Sequence, residues 1–336
     1  GEVAGNILFG DFHDNTIGDD LDKNIFESGF GFNTVLGFME GNKIGLNTYS
    51  NIFSGGTLTG NDWKGDFYDN TIDGSFDGNT IGFTFHDNTI VGNVQGNIFG
   101  YQTYDNTTIG DFTGNTIGNS FNNNEFTATT YSNNIGENFY ENQILCNEFS
   151  SNKISNLFKG NLILNSSFVA NNIDFGFAGN EISSGTFYGN NIGFGMVINN
   201  ILGDFNFNTT GLYFADNTVG DVFAGNIIRD FFVDNTIGED FAGNTIGSYF
   251  QNNIIGDYFG YGAATSQPNT IGDNFKYNVI GTHCYNNIIG NFFMYNTGDT
   301  QFQWNIVNTA VSGICLSTGM LYDITTVNVF KNKNGD

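Results

Sequence analysis

Proline is nearly absent from this chain: Pro268 is the only one in 336 residues. Proline cannot donate to a β ladder, so its scarcity leaves almost every backbone amide free to pair. Cysteine is scarce as well. Cys146, Cys284 and Cys315 lie far apart, form no Cys-x-x-Cys pair and cannot build a fully paired disulfide framework. We therefore read them as incidental thiols. Basic residues number 9 against 34 acidic ones, a formal net charge of −25. That field repels phosphate backbones and excludes nucleic acid as an expected partner. No apolar run approaches the roughly 18 residues that a spanning helix needs, so membrane insertion is not expected. No signal peptide is visible, and the first residue is Gly1 rather than Met, so we read the chain as a mature product or an excised piece of something longer.

What fills the chain is glycine (47), phenylalanine (37) and asparagine, with 39% hydrophobic residues overall. Glycine at this level often marks collagen or disorder. Here no Gly-X-Y period exists, and the aromatic content can supply a core. The regularity is of another kind. Asn recurs every nine residues through Asn61, Asn70, Asn79, Asn88, Asn97, Asn106, Asn115 and Asn124, and again from Asn190 through Asn253. The unit is Phe-x-x-Asn-x-Ile-Gly-x-x, as in Phe67, Asn70, Ile72 and Phe76, Asn79, Ile81.

Apolar gaps of four and five do not make a helical stripe, and Gly, Asn, Thr and Asp oppose helix. In a short strand, residues two apart share a face, so Asn and Ile point inward and the Thr between them outward. One unit alone cannot bury its Phe and Ile, whereas stacked units can. The residue before Asn alternates, Asp69, Gly78, Asp87, Gly96, Asp105, Gly114, giving a second period of 18. Two units therefore close one coil. The expected fold is all-β: a parallel β-solenoid (β-helix) of nine-residue repeats over residues 1–307, about 18 residues per coil. About sixteen coils at roughly 4.8 Å each would make a rod of order 80 Å. Buried Asn is costly unless bonded, so an amide ladder running from coil to coil is expected. Residues 260–268 read as an inserted loop, and residues 308–336 as a short C-terminal β cap covering the open end. One-residue insertions between Asn124 and Asn190 read as bulges.

Candidate sites follow from what the core does not use. Asp69, Asp87 and Asp105 form a carboxylate column that could recruit calcium, although the turns lack paired glycines and the acids read first as solvated turn residues. No other cofactor is expected. Asp19 with Asp20, Glu239 with Asp240, and Asp204 are the carboxylates a glycan-cleaving enzyme would need, yet they occupy a turn position that is acidic throughout, and the chain is not read as an enzyme. His13 and His86 are too far apart to share a ligand. Outward Thr71, Thr80 and Thr89 are too sparse for an ice-binding face. Tyr258, Tyr261, Tyr277, Tyr285, Tyr295 and Trp304 concentrate late in the chain, and Tyr277 and Tyr295 lie 18 apart. Aromatic faces among amides suit sugar rings or a protein, so these six residues are the expected recognition surface.

The stretch Asn235-Thr236-Ile237-Gly238-Glu239-Asp240-Phe241-Ala242-Gly243-Asn244-Thr245-Ile246-Gly247 resembles repeats of bacteriophage tail-fibre, tail-spike and other virion appendage proteins, and of some bacterial surface proteins. The resemblance spans nearly all of residues 6–307. It implies a structural and adhesive module on a virion, with other appendage subunits as partners, a homotrimeric assembly, and a host-surface glycan or protein as receptor. A bacterial extracellular adhesin or filament protein is the alternative it leaves.

Overall fold

The structure, a computed structural model, describes all residues except 1, 165–166, 184, 261–266, 286, 299–300, 310–314, 317–321 and 326–336. It is a parallel β-solenoid of about 15 coils, with no helix among the described residues. Contacts divide the chain into two units, residues 1–166 and 167–336.

In the first unit each coil carries four short strands, as in Phe67–Tyr68, Thr71–Asp73, Phe76–Asp77 and Thr80–Ile81. Each strand pairs in parallel with its counterpart one coil on, so Phe67 sits beside Phe85, Ile72 beside Ile90, Phe76 beside Val94 and Ile81 beside Phe99. The second unit repeats the plan, with Phe214 beside Phe232, Val219 beside Ile237, Phe223 beside Phe241 and Ile228 beside Ile246. Alternation holds as the sequence implies: Asn70 and Ile72 are buried and Thr71 is exposed. The described strands of the C-terminal region continue the same parallel stacking. Cys315–Leu316 pairs with Thr297–Gly298, and Tyr322–Thr325 with Gln301–Thr309.

The core is a set of aromatic and aliphatic columns. Phe67 stacks on Phe85 at 5.4 Å and 13°, while across the coil Trp63 meets Phe67 edge-on at 4.9 Å. Both geometries are favoured by the ring quadrupole. Volume is balanced within several nonapeptides. In four of them a smaller residue in the Phe slot is matched by a large ring in the Ile slot: Leu21 with Phe26, Thr48 with Phe53, Leu58 with Trp63, Val94 with Phe99, all buried. Thr103 and Thr108 are both small, and the next coil sets Phe121 and Phe126 directly over them. The hydroxyls of Thr48, Thr103, Thr130 and Thr210 and the Trp63 indole N–H are buried with no hydrogen-bond partner, which is the cost of using these residues in an apolar slot.

Two amide ladders run inside the columns. Asn88 is typical. Its Oδ1 accepts from the backbone N–H and Nδ2 of Asn70 at 3.0 and 3.1 Å. Its own N–H and Nδ2 donate to Oδ1 of Asn106, both at 3.0 Å. The second amide hydrogen reaches the carbonyls of Phe67 and His86 at 3.0 and 2.8 Å. Every polar atom of the side chain is used, which offsets the cost of burying it. The ladder also absorbs irregularity. Single extra residues lengthen the step from Asn42 to Asn61 and from Asn133 to Asn152 to 19 without breaking the bonds, so the extra residue is taken up in the turns. Across the insertion, Asn244 still donates to Asn269 and Asn253 to Asn278, 25 residues apart. Of the expected loop at 260–268, residues 261–266 lie outside the described residues.

The glycine of Asn-x-Ile-Gly is explained by crowding between coils. A Cβ on Gly100 or Gly118 would run into the carbonyl oxygen of Gly82 or Gly100 on the preceding coil.

Replacing Asn88 by Leu strands the donors of Asn70 and removes the Nδ2 group that donates to Asn106 and to the carbonyls of Phe67 and His86. We expect a loss of about 3–5 kcal/mol, read from the denaturant midpoint, against less than about 0.5 kcal/mol for outward Thr89→Ala. Phe99→Ile alone should cost about 1–2 kcal/mol and Val94→Phe alone about 1–3 kcal/mol. The double variant, which restores the common arrangement, should recover most of both losses in a double-mutant cycle.

Candidate functional site

Three features mark the outer surface: left-handed corners, corner carboxylates and stacked rings. The residue before the inward Asn has positive φ in coil after coil, whether it is Asp69 (55°), Asp87 (55°), Asp105 (56°), Gly78 (62°) or Gly96 (66°). Asp occupies this corner on one side of the coil and Gly on the other, and both satisfy the same backbone demand, since Gly carries no penalty there and Asp a small one. The Asp69, Asp87 and Asp105 column is thus real in space, one residue per coil, and sits at a corner whose backbone is left-handed on both sides of the coil. Among the described residues, no group of three or more His, Cys, Asp or Glu side chains is placed to hold a metal ion. A surface recess of about 310 Å³ lies alongside, lined by Asp105, Thr107, Asn123, Glu125, Glu141 and Gln143.

The turn carboxylates have a second structural use. Asp20 Oδ1 accepts the N–H of Phe38 at 2.8 Å, and Asp66 Oδ1 accepts the N–H and hydroxyl of Thr84 at 3.2 and 2.6 Å. Asp230 accepts the N–H of Ser248, and Asp273 that of Asn291, both at 2.7 Å. These bonds run toward the N-terminus, opposite to the core ladder. The bond from Thr282 holds the Asp257 carboxyl below the usual carboxylate range. Asp204 behaves differently: partial burial, and then the carboxylates of Asp221 and Asp240, push its pKa up. Asp77 is also raised by burial, and its Oδ1 is buried with no partner.

The expected recognition surface does not form one patch. Tyr277 and Tyr295 do stack, at 5.2 Å and 8°, with left-handed backbones, and Lys276 Nζ sits 5.3 Å from the ring of nearby Phe292. Tyr258 instead stacks on His283 at 4.7 Å. That pair adjoins the Phe241, Phe259, Cys284 column, whereas Tyr277 adjoins the Phe250, Phe275 column. Successive nonapeptides lie half a coil apart, so these two stacks belong to different sides of the coil. The side chains of Tyr285 and Trp304, and all of Tyr261, lie outside the described residues. Buried Cys284 fills a Phe slot beside Asn287, and burial pushes its thiol pKa up.

Two further ring stacks were not read from the sequence. Tyr49, Tyr68, His86 and Tyr104 stack at 5.5, 5.1 and 4.7 Å, nearly parallel, and His86 Nδ1 lies 2.7 Å from Asp87 Oδ2. In the second unit Phe175, Phe194, Tyr213, Phe231 and Tyr249 form a continuous series of ring contacts. Tyr213 (65°), Phe231 (63°) and Tyr249 (69°) are left-handed, at a cost of roughly 1 kcal/mol or more each. Where rings stack in parallel, as from Tyr68 through His86 to Tyr104, the face of the middle ring is covered by its neighbours and it offers its edge outward. The second-unit series is broken at its centre, where Phe194 and Tyr213 meet edge-to-face at 68°.

No family model, curated protein or solved structure matches the chain. Periodicity and side-chain geometry therefore carry the functional reading.

The raised pKa of Asp77 has a testable sign. Its folded-state value lies above the unfolded one, so stability is lost as pH rises through that interval and regained as pH falls. Asp77→Asn should therefore raise the unfolding midpoint at neutral pH, and the advantage should shrink as pH drops toward about 4, the ordinary carboxyl value. A constant advantage across that range would contradict the assignment.

Proposed function

We propose that this chain is a structural and adhesive module of a viral appendage, a tail fibre or spike, serving as a spacer that carries host-contact surfaces on its sides. The observation that carries the reading is the pair of Asn ladders in each unit. Each coil satisfies its inward polar groups through the coils beside it, so the repeat resists local opening along its length and leaves its outer residues free to vary. The acidic surface suits a long β structure that must not aggregate edge to edge. Many turn carboxylates serve as corner acceptors, which fits a scaffold role. The resemblance of the repeat to virion appendage repeats supplies the biological setting, with host-surface glycan or protein as receptor and copies of this chain or other appendage subunits as partners. A bacterial extracellular adhesin or filament would use the same features.

Peptide mass spectrometry of purified virions, with antibody labelling of virions and of bacterial cells, tests the proposal. Recovery of the chain in virions and labelling of the appendage is the expected result. Labelling confined to the bacterial surface would transfer the role to an adhesin.

A further inference from the structure

Tyrosine meets tyrosine in two of the ring stacks, and the two pairs differ in what surrounds them. Tyr49 and Tyr68 lie 5.5 Å apart and 13° from parallel. Both are half-buried, Phe32 meets Tyr49 edge-on, and His86 stacks on Tyr68. Tyr277 and Tyr295 lie 5.2 Å apart and 8° from parallel, yet they are 54% and 51% exposed. They occupy the same left-handed corner in successive coils, at φ 60° and 59°, so their side chains leave the backbone in the same direction. Asn252 holds that corner one coil earlier, so the neighbour of Tyr277 on that side is an amide rather than a ring. Both phenols thus face each other, reach solvent and have room to pivot.

We propose that Tyr277 and Tyr295 are a site of oxidative cross-linking, joined through their ortho carbons as a dityrosine that staples one coil to the next. The oxidant is a haem peroxidase acting with hydrogen peroxide. Each phenol gives one electron to the oxidant and its hydroxyl proton to water, which leaves two phenoxyl radicals. The radicals pair to form one C–C bond between ortho carbons, and the hydrogen on each of those carbons moves to the phenolic oxygen of its own ring. In all, the protein loses two hydrogens and one hydrogen peroxide becomes two waters. Proximity decides which rings couple. Phenols held on adjacent coils meet at an effective concentration of about millimolar or more, roughly a thousandfold above that of other molecules in a micromolar solution. The staple falls directly after the coil that carries the long insertion, where each ladder steps 25 residues, and it ties the coil beyond that step to its neighbour. This site stands apart from the virion reading and does not depend on it.

The test is to treat the full chain, at micromolar concentration, with a haem peroxidase and hydrogen peroxide. Monomer recovered from a denaturing gel should lose the mass of two hydrogens and gain the blue fluorescence of dityrosine. A digest that cuts between the two residues should release a peptide pair linked through Tyr277 and Tyr295. Tyr277→Phe and Tyr295→Phe each remove one phenol while keeping the ring stack, so folding is preserved, and each should cut the linked product by about tenfold or more. Tyr49→Phe in the first unit should leave it unchanged. No loss of mass, a product that survives Tyr277→Phe, or coupling of Tyr277 chiefly to some other tyrosine, in the same chain or another, would overturn the site.

Discussion

A primary amide buried in a dry column must find partners for two donors and an acceptor, and here it finds them chiefly in the next copy of itself. Asn88 accepts from Asn70 and donates to Asn106, and the same exchange repeats along both sides of the coil. This is a directional constraint, because each Oδ1 takes two bonds from the coil before and each Asn gives two to the coil after. A slip of one residue would turn Asn outward and Ile with it, since the side-chain period of a strand is two. Register is therefore defended by polar as well as apolar terms. Spacing between ladder members can change to 19 or 25 residues so long as the extra chain stays in the turns.

Hydrophobic packing inside this frame is less strict than the ladder. Phe and Ile exchange slots within a unit, as Val94 with Phe99 shows, and Thr103 and Thr108 are covered by Phe121 and Phe126 of the next coil. What the columns keep constant is volume in each stretch of core, in keeping with interiors that tolerate rearrangement when total volume is kept. Asn has no such substitute, because no other side chain of its length supplies both donors and the acceptor.

The corners show how the outer surface is freed and also constrained. Left-handed backbone before the inward Asn admits Gly at no cost and Asp at small cost, so the conformation permits a column of charge on one side and of Gly on the other. Carboxylates in the other turns cap amides of the following coil, as Asp66 does for Thr84. Some rings placed on the outside stack in parallel at the coil spacing and cover their facing sides, as Tyr277 and Tyr295 do, while others meet edge-to-face, as Phe32 and Tyr49 do. A surface built on a repeat of about 4.8 Å thus brings outer rings of successive coils within contact distance of one another.

The sequence by itself determined the period, the pairing of two units per coil, the inward set of Phe, Asn and Ile, and the amide ladder. These follow from alternation along a strand and from the cost of a buried amide, both of which are local. The three-dimensional structure alone decided the rest. It showed that Asp69 and Gly78 share one backbone conformation, that Asp20 and Asp66 cap neighbouring coils, and that Tyr258 and Tyr277 belong to different sides. It brought Phe194 and Tyr213 into contact although they are 19 residues apart and occupy different positions in their turns. Which side chains meet on the outside depends on how each turn carries its extra residue and on the sign of φ at the corner, and neither is written in the identity of any single residue.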